Sequence, residues 1–217
     1  MGNKMKLTAL VVAGSALFGA LTVSPALAQD AANWTGFYAG AFAGYGGSAW
    51  DRETPAYTDN VTSEWRIDGA NLGLFGGYNW QRGNLVLGLE AEVATSGVKG
   101  DDRDLGGILD GIDVNRSAGL GARIGYAADR NMFYLTAGKA WYKVDQMIDT
   151  ATLEHDLDGH YVGLGIEHAY SDKILLRGEL RQTTLDDFAF DAIANSSGGS
   201  YQMHDHTEVR IGASYKF

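Results

Sequence analysis

The sequence predicts an all-β protein, an eight-stranded antiparallel up-and-down transmembrane β-barrel. Three observations lead to this fold class. Apolar and polar residues alternate with a period of two in eight segments, and short turns alternate with long polar connections between these segments. After the N-terminal region, no run approaches the ~20 consecutive apolar residues that a transmembrane helix needs. Any membrane-spanning structure beyond that region is therefore expected to consist of strands.

The N-terminal segment has the features of a secretory signal peptide. Lys4 and Lys6 precede an apolar run over residues 7–23, and the motif Ala26-Leu27-Ala28 supplies the small residues of a cleavage site. The run is short for a bilayer-spanning helix, which argues against a retained anchor. The predicted organisation is a signal peptide over residues 1–28 and a membrane β-barrel over residues 29–217.

Composition excludes several classes of function. The formal net charge is −10 and becomes −12 when Lys4 and Lys6 leave with the signal peptide, and so acidic a surface argues against nucleic-acid binding. Cysteine is absent, so disulfides cannot stabilise the fold and thiol chemistry is excluded. The chain has 30 glycines and 11 tyrosines but only 2 prolines, a composition typical of sheet.

Each of the eight strands follows from alternation between apolar and polar residues, and no proline interrupts any of them. The predicted strands cover residues 34–46, 67–80, 85–96, 113–127, 132–144, 157–170, 174–185 and 206–217. Long polar connections are predicted at residues 47–66, 97–112, 145–156 and 186–205, and tight turns at residues 81–84, 128–131 and 171–173. In up-and-down membrane barrels the short turns lie in the periplasm and the long loops face outward, which places both chain ends at the periplasmic side.

One face of these strands is apolar and the other is polar. In the last strand, Val209, Ile211, Ala213, Tyr215 and Phe217 alternate with polar or small residues. A soluble lipocalin-like barrel alternates in the same way with its apolar face inward, so the polar face decides between the two. That face carries a nearly balanced set of charges padded with glycine, which suits a narrow packed lumen. Aromatic residues also gather near strand ends, as membrane girdles do, at Tyr78, Trp80, Tyr126, Trp141, Tyr170 and Tyr215.

The charges of the polar face are the principal candidate site. A barrel of eight strands has an interior only wide enough for side chains, and each unpaired charge there would cost several kcal/mol. A structural, plugging role is therefore favoured over a gate or a proton path, and no large open pore is expected. The predicted lumen ion-pair network consists of Glu90, Glu92, Arg123, Glu167, Arg177, Glu179, Arg181, Glu208 and Arg210.

Four segments carry a resemblance to a known family. They are Trp34-Thr-Gly-Phe-Tyr38, Tyr134-Leu-Thr-Ala-Gly138, Leu175-Leu-Arg-Gly-Glu-Leu-Arg181 and Val209-Arg-Ile-Gly-Ala-Ser-Tyr-Lys-Phe217. With them the chain resembles the small porin-like outer-membrane proteins of alphaproteobacteria, a group of major surface proteins with an OmpA-like β-barrel domain. The resemblance spans the whole predicted mature chain.

This resemblance implies a place in the outer membrane of a Gram-negative bacterium and a role in envelope stability and host contact. It implies that Tyr215 and Phe217 form the barrel-assembly signal. The implied partners are outer-membrane lipid, lipopolysaccharide and the barrel-assembly machinery, with no nucleic acid, and the protein is expected to be a monomer. Some relatives bind haemin. Such proteins usually carry an apolar residue where this chain has Lys139.

Lys139 is the residue that fits the barrel pattern least well. It follows Phe133, Leu135 and Ala137 on the outward face of the fifth predicted strand, where a midplane lysine costs ~2–4 kcal/mol. Two explanations are open. Either Lys139 lies near the outer interface and extends its ammonium group to the headgroups, or a bulge at Gly138 turns it inward.

Histidines near the outer rim raise two further possibilities. His204, Asp205 and His206 could supply a base and its orienting carboxylate, but neighbouring strand residues point to opposite faces and no serine completes the pattern. The weak candidates for binding haemin or a small ligand are His204, His206, His155 and His160. Solvated histidine remains the simpler interpretation. Acidic loops could also bind divalent cations beside lipopolysaccharide phosphates.

The interpretation that these observations favour is a structural surface barrel with a plugged lumen that conducts weakly or not at all. No catalytic residue, metal site or cofactor is predicted. The alternatives are a barrel that binds haemin or another small ligand, a narrow porin-like channel and, less favoured, a lipid-modifying outer-membrane enzyme.

Overall fold

The computed structural model describes residues 31–53, 64–97, 99–101, 110–148, 151–185, 188–189, 200–203 and 205–217. The signal peptide predicted over residues 1–28 lies outside these ranges, so it stays a prediction. Regular structure in the described part of the chain consists of strands. None of its residues belongs to a helix long and apolar enough to cross a membrane.

The described strands form one closed antiparallel barrel. Eight long strands build the wall: β1 (Gly36–Glu53), β2 (Glu64–Arg82), β3 (Leu85–Ser96), β5 (Asp110–Ala128), β6 (Asn131–Ile148), β7 (Ala151–Ala169), β8 (Ile174–Leu185) and β11 (His206–Lys216). Three short strands extend it: β4 (Lys99–Asp101), β9 (Phe188–Ala189) and β10 (Ser200–Met203). Each long strand pairs with its neighbour in sequence, and β1 closes the barrel by pairing with both β2 and β11. The predicted fold class is confirmed.

The stagger of the strands fixes the width of the barrel. Following directly paired residues once around the wall leads from Phe37 back to β1 at Gly47, which is 47 − 37 = 10 residues further along. The intermediate partners are Tyr78, Leu89, Ala122, Ala137, Val162, Gln182 and Thr207. Eight strands with this stagger tilt strongly against the barrel axis and leave an interior that side chains can fill.

The three predicted tight turns are present, and all lie at the same end of the barrel. Between β2 and β3, Gly83 has a φ of 61°, a conformation that side chains disfavour. Between β5 and β6, Asp129 has a φ of 53°, which aspartate tolerates better than most residues. Both ends of the barrel chain lie beside these turns, since Phe217 donates its backbone N–H to the carbonyl of Phe37. This end is the periplasmic one.

At the opposite, outer end the strands run further than predicted. The connection predicted over residues 145–156 was wrong for most of its length, because β6 continues to Ile148 and β7 begins at Ala151, where the two residues pair. Strands β4, β9 and β10 also lie within predicted loops. Beyond the bilayer both faces of a strand meet water, so apolar alternation stops while backbone pairing continues.

The outer surface carries the apolar band that the alternation predicts. Exposed leucine, isoleucine, valine and phenylalanine side chains cover it on every long strand except β1, where alanines share the surface with Phe37 and Tyr45. Of the six predicted girdle aromatics, only Trp141 lies toward the outer end. The other five surround the periplasmic end, where Phe37 and Tyr78 pack edge to face at 4.6 Å and Tyr215 packs on Phe217 at 5.3 Å.

Candidate functional site

All nine charged residues singled out in the sequence face the barrel interior. Eight are buried, and Glu92 is partly buried. They come from five of the eight long strands: β3, β5, β7, β8 and β11. Strands β3 and β8 are separated by three long strands in either direction around the barrel, so they lie on opposite walls. Contacts between these two strands therefore cross the full diameter of the lumen.

The periplasmic half of the lumen holds a compact four-residue cluster, the lower cluster. Arg177 of β8 donates from both Nη atoms to Glu90 of β3, at 2.9 and 2.7 Å. Its Nη2 also lies 3.4 Å from Glu167 Oε1, while Arg123 Nη1 lies 3.2 Å from Glu167 Oε2. Two carboxylates and two guanidinium groups give a neutral set, so each buried charge has a partner of opposite sign.

The outer half of the lumen holds a second group of charges, the upper cluster. Arg181 donates to Glu179 at 2.8 Å on its own strand and to Glu92 at 2.6 Å across the lumen. Arg210 donates to Glu92 at 2.9 Å, and its Nη2 lies 2.9 Å from Glu208. Three carboxylates face two guanidinium groups here, so the upper cluster carries one more negative charge than positive charges.

Aromatic rings fill the space around the charges, and sequence reasoning did not single them out. Each arginine in the lumen stacks on a ring, and the guanidinium carbon lies 3.9–4.5 Å from the ring centroid. These stacked pairs are Arg123 on Tyr38, Arg177 on Phe75, Arg181 on Tyr161 and Arg210 on Phe42. Cation–π contacts of this kind favour the guanidinium group most when water is excluded.

Two tyrosine hydroxyls tie the rings into the ion-pair network. Tyr38 donates to Glu90 at 2.8 Å, and Tyr134 donates to Glu179 at 2.7 Å. The guanidinium carbon of Arg177 also lies 5.7 Å from the centroid of the Tyr134 ring, so Tyr134 links the upper and lower clusters. The carboxylates thus accept hydrogen bonds from neutral donors as well as from arginine, which is what buried charge requires.

Inward-facing glycines make room for these rings. A Cβ at Gly77 would overlap Tyr38, and a Cβ at Gly165 would overlap Tyr134, each on the paired strand. Tyr161 lies across two glycines, Gly121 and Gly138. The sequence signal for the rings was therefore present: an inward tyrosine directly opposite an inward glycine.

Below the lower cluster, an apolar plug occupies the periplasmic end. Trp34 is 1% exposed, and its backbone N–H donates to Gln81 Oε1 at 2.7 Å. The plug consists of Trp34, Val86, Ala127, Met132, Tyr134, Ala169 and Leu175. Trp34 was predicted to begin the first strand, whereas β1 begins at Gly36 and Trp34 turns in beneath the lumen.

Above the upper cluster, the outer mouth contains a cavity of about 950 Å³. Its inward-facing lining is mainly apolar and includes Phe42, Ala94, Ser117, Tyr142 and Leu157. Phe42 forms part of its floor, with Arg210 stacked on the ring. A volume of this size is in the range of pockets that hold small ligands.

The rim histidines do not form one site in the described residues. His160 is exposed on the outside of β7, whereas His206 points inward on β11 and is half-buried. Asp205 lies outside, where it accepts a hydrogen bond from Thr184 at 2.6 Å. His204 and the side chain of His155 lie outside the description. Within the described ranges, no three histidine, cysteine or carboxylate side chains group together as metal ligands would.

Lys139 faces outward in a regular ladder. It pairs with Leu120 on β5 and with His160 on β7, and no shift of register occurs at Gly138. Where β5 and β6 are described, the register between them shifts once, between Val114 and Arg116. Of the two explanations left open by the sequence, the inward-turning bulge was wrong. Lys139 lies beside polar His160, at the outer edge of the apolar band.

Comparison with known proteins agrees with this architecture. Residues 14–217 match the family model described as an outer membrane protein beta-barrel domain. The 22 kDa outer membrane protein of Rhizobium leguminosarum bv. viciae is 31% identical over 191 residues, covering 87% of this chain and 81% of the relative. The 31 kDa outer-membrane immunogenic protein of Brucella melitensis biotype 1 is 33% identical, covering 96% of each chain.

The solved structures support the fold. The outer membrane protein OprG of Pseudomonas aeruginosa superposes with a TM-score of 0.58 at 14% identity, covering 87% of this chain and 99% of that one. The family model and the relatives from Rhizobium and Brucella place the protein in the outer membrane of Gram-negative bacteria, in agreement with the closed barrel and its apolar outer band. The chain belongs to the outer membrane protein β-barrel domain family.

Proposed function

We propose that this protein is a structural surface barrel whose lumen is closed to solutes. The observation that carries the proposal is the pair of bridges from β3 to β8, Glu90 to Arg177 and Glu92 to Arg181, each spanning the lumen. The bridges lie at two levels, and the apolar plug around Trp34 lies below both. A solute would have to break both levels of buried ion pairs to pass.

Energetics favour closure over gating. Separating one buried pair exposes two charges to a medium that solvates them poorly, and removing one partner of such a pair typically costs about 3–5 kcal/mol. In the lower cluster each arginine contacts two carboxylates, Glu90 and Glu167, so opening one contact disturbs the others. A network shared in this way is a poor gate, because no single side chain can move independently.

A single-channel recording tests the closed lumen. The purified, refolded protein in a planar bilayer is expected to give no stable conductance, whereas the quadruple variant Glu90→Ala/Glu92→Ala/Arg177→Ala/Arg181→Ala should give small, frequent openings. Heat-modifiable migration on gels shows that each sample is folded. A stable, large conductance from the unaltered protein would contradict the proposal.

We also propose that the barrel has no enzymatic activity and that it acts through its outer surface and loops. Support comes from the outer rim, where Asp205 and His206 face opposite sides of the wall and so cannot act as a base and its orienting group. The surface partners proposed are outer-membrane lipid and lipopolysaccharide, with a monomeric barrel delivered by the assembly machinery through Tyr215 and Phe217. Truncation of Phe217 should reduce the amount of folded barrel in the outer membrane.

A second candidate function is the binding of a small apolar ligand in the outer mouth. The cavity of about 950 Å³ above Phe42 favours it, since ligand pockets are concave and mainly apolar. Haemin is a suitable probe because its large macrocycle is mainly apolar and absorbs strongly. Binding in the mouth predicts an absorbance shift on titration that is reduced by Leu157→Trp, which fills the cavity, and that persists in His160→Ala on the outside. No shift would exclude haemin as the ligand.

A further inference from the structure

In the outer half of the barrel, the outward-facing cations whose side chains the structure describes lie on one side. Arg116 lies on β5, and Lys139 and Lys143 lie on β6, all exposed. The other arginines and lysines with described side chains either face the lumen or lie at the periplasmic end. On β2, which is separated from β5 by β3, Asp68 faces outward near the same end and accepts a hydrogen bond from Tyr45. Among the side chains that the structure describes, outward positive charge at the outer end therefore lies along the boundary between β5 and β6, the β5–β6 seam.

Two of these cations lie directly opposite each other. Arg116 pairs in register with Lys143, immediately after the bulge that follows Val114. Side chains opposite each other on adjacent antiparallel strands have Cβ atoms roughly 4.5–5.5 Å apart, and like charges there destabilise the pair. A bulge re-aims side chains at such positions. An anionic group placed between Arg116 and Lys143 would turn this repulsion into two charge-assisted hydrogen bonds.

The third cation continues the same seam toward the membrane. Lys139 lies four residues from Lys143 on the same face of β6, about 13 Å away along the strand. Trp141 lies between them, exposed on the same face. Tryptophan at the level of the headgroups with lysine on either side is the pattern of an interfacial anchor. The seam thus runs from the edge of the apolar band outward into the headgroup region.

Carboxylates border the seam on its other side. On β7, Asp156 lies opposite Lys143, with the Lys143 Nζ to Asp156 Oδ1 distance at 3.2 Å, and Asp158 lies opposite Trp141. Both groups of the ion pair are largely exposed, so the contact is worth little and leaves Lys143 able to bind another anion. His160 lies opposite Lys139. An anionic ligand is therefore directed over β5 and β6 and away from β7.

We propose that the β5–β6 seam, formed by Arg116, Lys139, Trp141 and Lys143, binds the anionic sugar headgroup of the outer-leaflet glycolipid, lipopolysaccharide. Acyl chains would cover Leu120 and Ala137 on the apolar band, and phosphate or carboxylate groups of the sugars would contact the cations above it. The location at the outer end selects the glycolipid, because that leaflet presents it. The site depends on the outer-membrane location and is independent of whether the lumen is closed.

Titration with diphosphoryl lipid A in an uncharged detergent, followed by native mass spectrometry, tests the seam. The variant Arg116→Gln/Lys143→Gln should bind lipid A roughly tenfold more weakly than the unaltered protein, because each surface cation contributes a several-fold gain toward anionic lipid. The matched control is Arg82→Gln/Lys173→Gln, which removes two exposed cations from the periplasmic turns. It should bind within about twofold of the unaltered protein.

Further arms identify the ligand chemistry. Lipid A stripped of its phosphates should bind the unaltered protein and the double variant equally, and phosphatidylglycerol should discriminate between them less than lipid A does. Equal lipid A affinity for the double variant and the unaltered protein, or an equal loss in the control, would overturn the site. Equal discrimination by phosphatidylglycerol would overturn the assignment to glycolipid. If the double variant does not fold, Lys139→Gln alone is expected to weaken lipid A binding about threefold.

Discussion

The two faces of the same strands differ in how strictly they are specified. On the inner face, Glu90 contacts Arg177, Arg123 and Tyr38, so its length and charge are both set by named partners. On the outer face of the same strand, Leu89 is 53% exposed, and its side chain faces membrane lipid. The inner face requires particular atoms at particular distances, whereas the outer face requires only apolar area.

This difference follows from the surroundings of each face. Lipid adapts its shape to a side chain, so exchanging one aliphatic residue for another changes little. The lumen cannot adapt, because its diameter is fixed by eight strands and a stagger of ten. Substitutions should therefore cost most where the lumen is dry and charge is balanced, and least where polar groups meet water.

The strictest test of the inner face is Glu90→Gln. This variant leaves Arg123 and Arg177 with a single carboxylate, Glu167, in a buried site, and we expect the free energy of unfolding to fall by about 3–5 kcal/mol. The matched variant Glu208→Gln removes one carboxylate from the upper cluster, which has one in excess. It leaves two carboxylates and two guanidinium groups, and should cost only about 1 kcal/mol.

Urea unfolding of both variants in phospholipid vesicles, followed by tryptophan fluorescence, gives the comparison. Equal losses for Glu90→Gln and Glu208→Gln would show that charge balance does not distinguish the two clusters. A loss for Glu90→Gln that is recovered by adding Arg123→Met would support the explanation by uncompensated charge, because the remaining pair is again neutral.

On the outer face, the position of a charge should matter more than its identity. Leu135 is 61% exposed in the apolar band, two outward positions from Lys139. Leu135→Lys should lower the free energy of unfolding by about 2–4 kcal/mol, as a lysine near the bilayer midplane does. The matched control, Thr207→Lys at the outer edge, should cost about 0–1 kcal/mol. If the two variants unfold at the same urea concentration, the apolar band has been placed wrongly.

A glycine-to-alanine substitution adds one methyl group without changing charge, so it compares the tolerance of the inner and outer faces to added volume. At Gly121, inside the barrel, a Cβ would lie 2.7 Å from the Ala137 carbonyl oxygen and would also overlap Tyr161. Gly121→Ala should therefore cost about 1–3 kcal/mol through overpacking. At Gly178, outside, the nearest atom to a new Cβ is Ile166 Cγ2 at 3.9 Å, so Gly178→Ala should be close to neutral. The temperature at which the folded, faster-migrating band disappears from gels of heated samples distinguishes the two variants.

Sequence reasoning predicted the wall and the charges of the lumen because both leave local signals. Alternation alone places Glu208 and Arg210 inside and Val209 outside, since neighbouring strand residues point to opposite faces. Glu90 and Arg177 were assigned to one network although 87 residues separate them, because strand alternation places both side chains on the inner face. Which carboxylate meets which arginine depends on stagger and rotamers, and those have no signature in a single strand.

The features that escaped prediction are those without periodicity. Trp34 lies before the first strand and turns beneath the lumen, so no alternating pattern marks its direction. The outer extensions of β6 and β7 pair with each other as far as Ile148 and Ala151, but their sequence lacks the apolar alternation by which the other strands were predicted. The orientation of Lys139 was left open by the sequence. Strand alternation placed its side chain on the outer face, whereas its charge favoured the polar interior of the barrel.

The smallest expected effect concerns the solvated end of the outer face. Lys143 and Asp156 lie 3.2 Å apart with side chains 53% and 79% exposed. A double-mutant cycle with Lys143→Gln and Asp156→Asn should give a coupling of about 0.2–1 kcal/mol, because water and salt screen exposed pairs. The coupling should shrink further at about 1 M salt, where the Debye length is roughly 3 Å. A coupling above about 2 kcal/mol would mean that this end of the wall is specified as strictly as the lumen, and the contrast between the faces would then be confined to the bilayer.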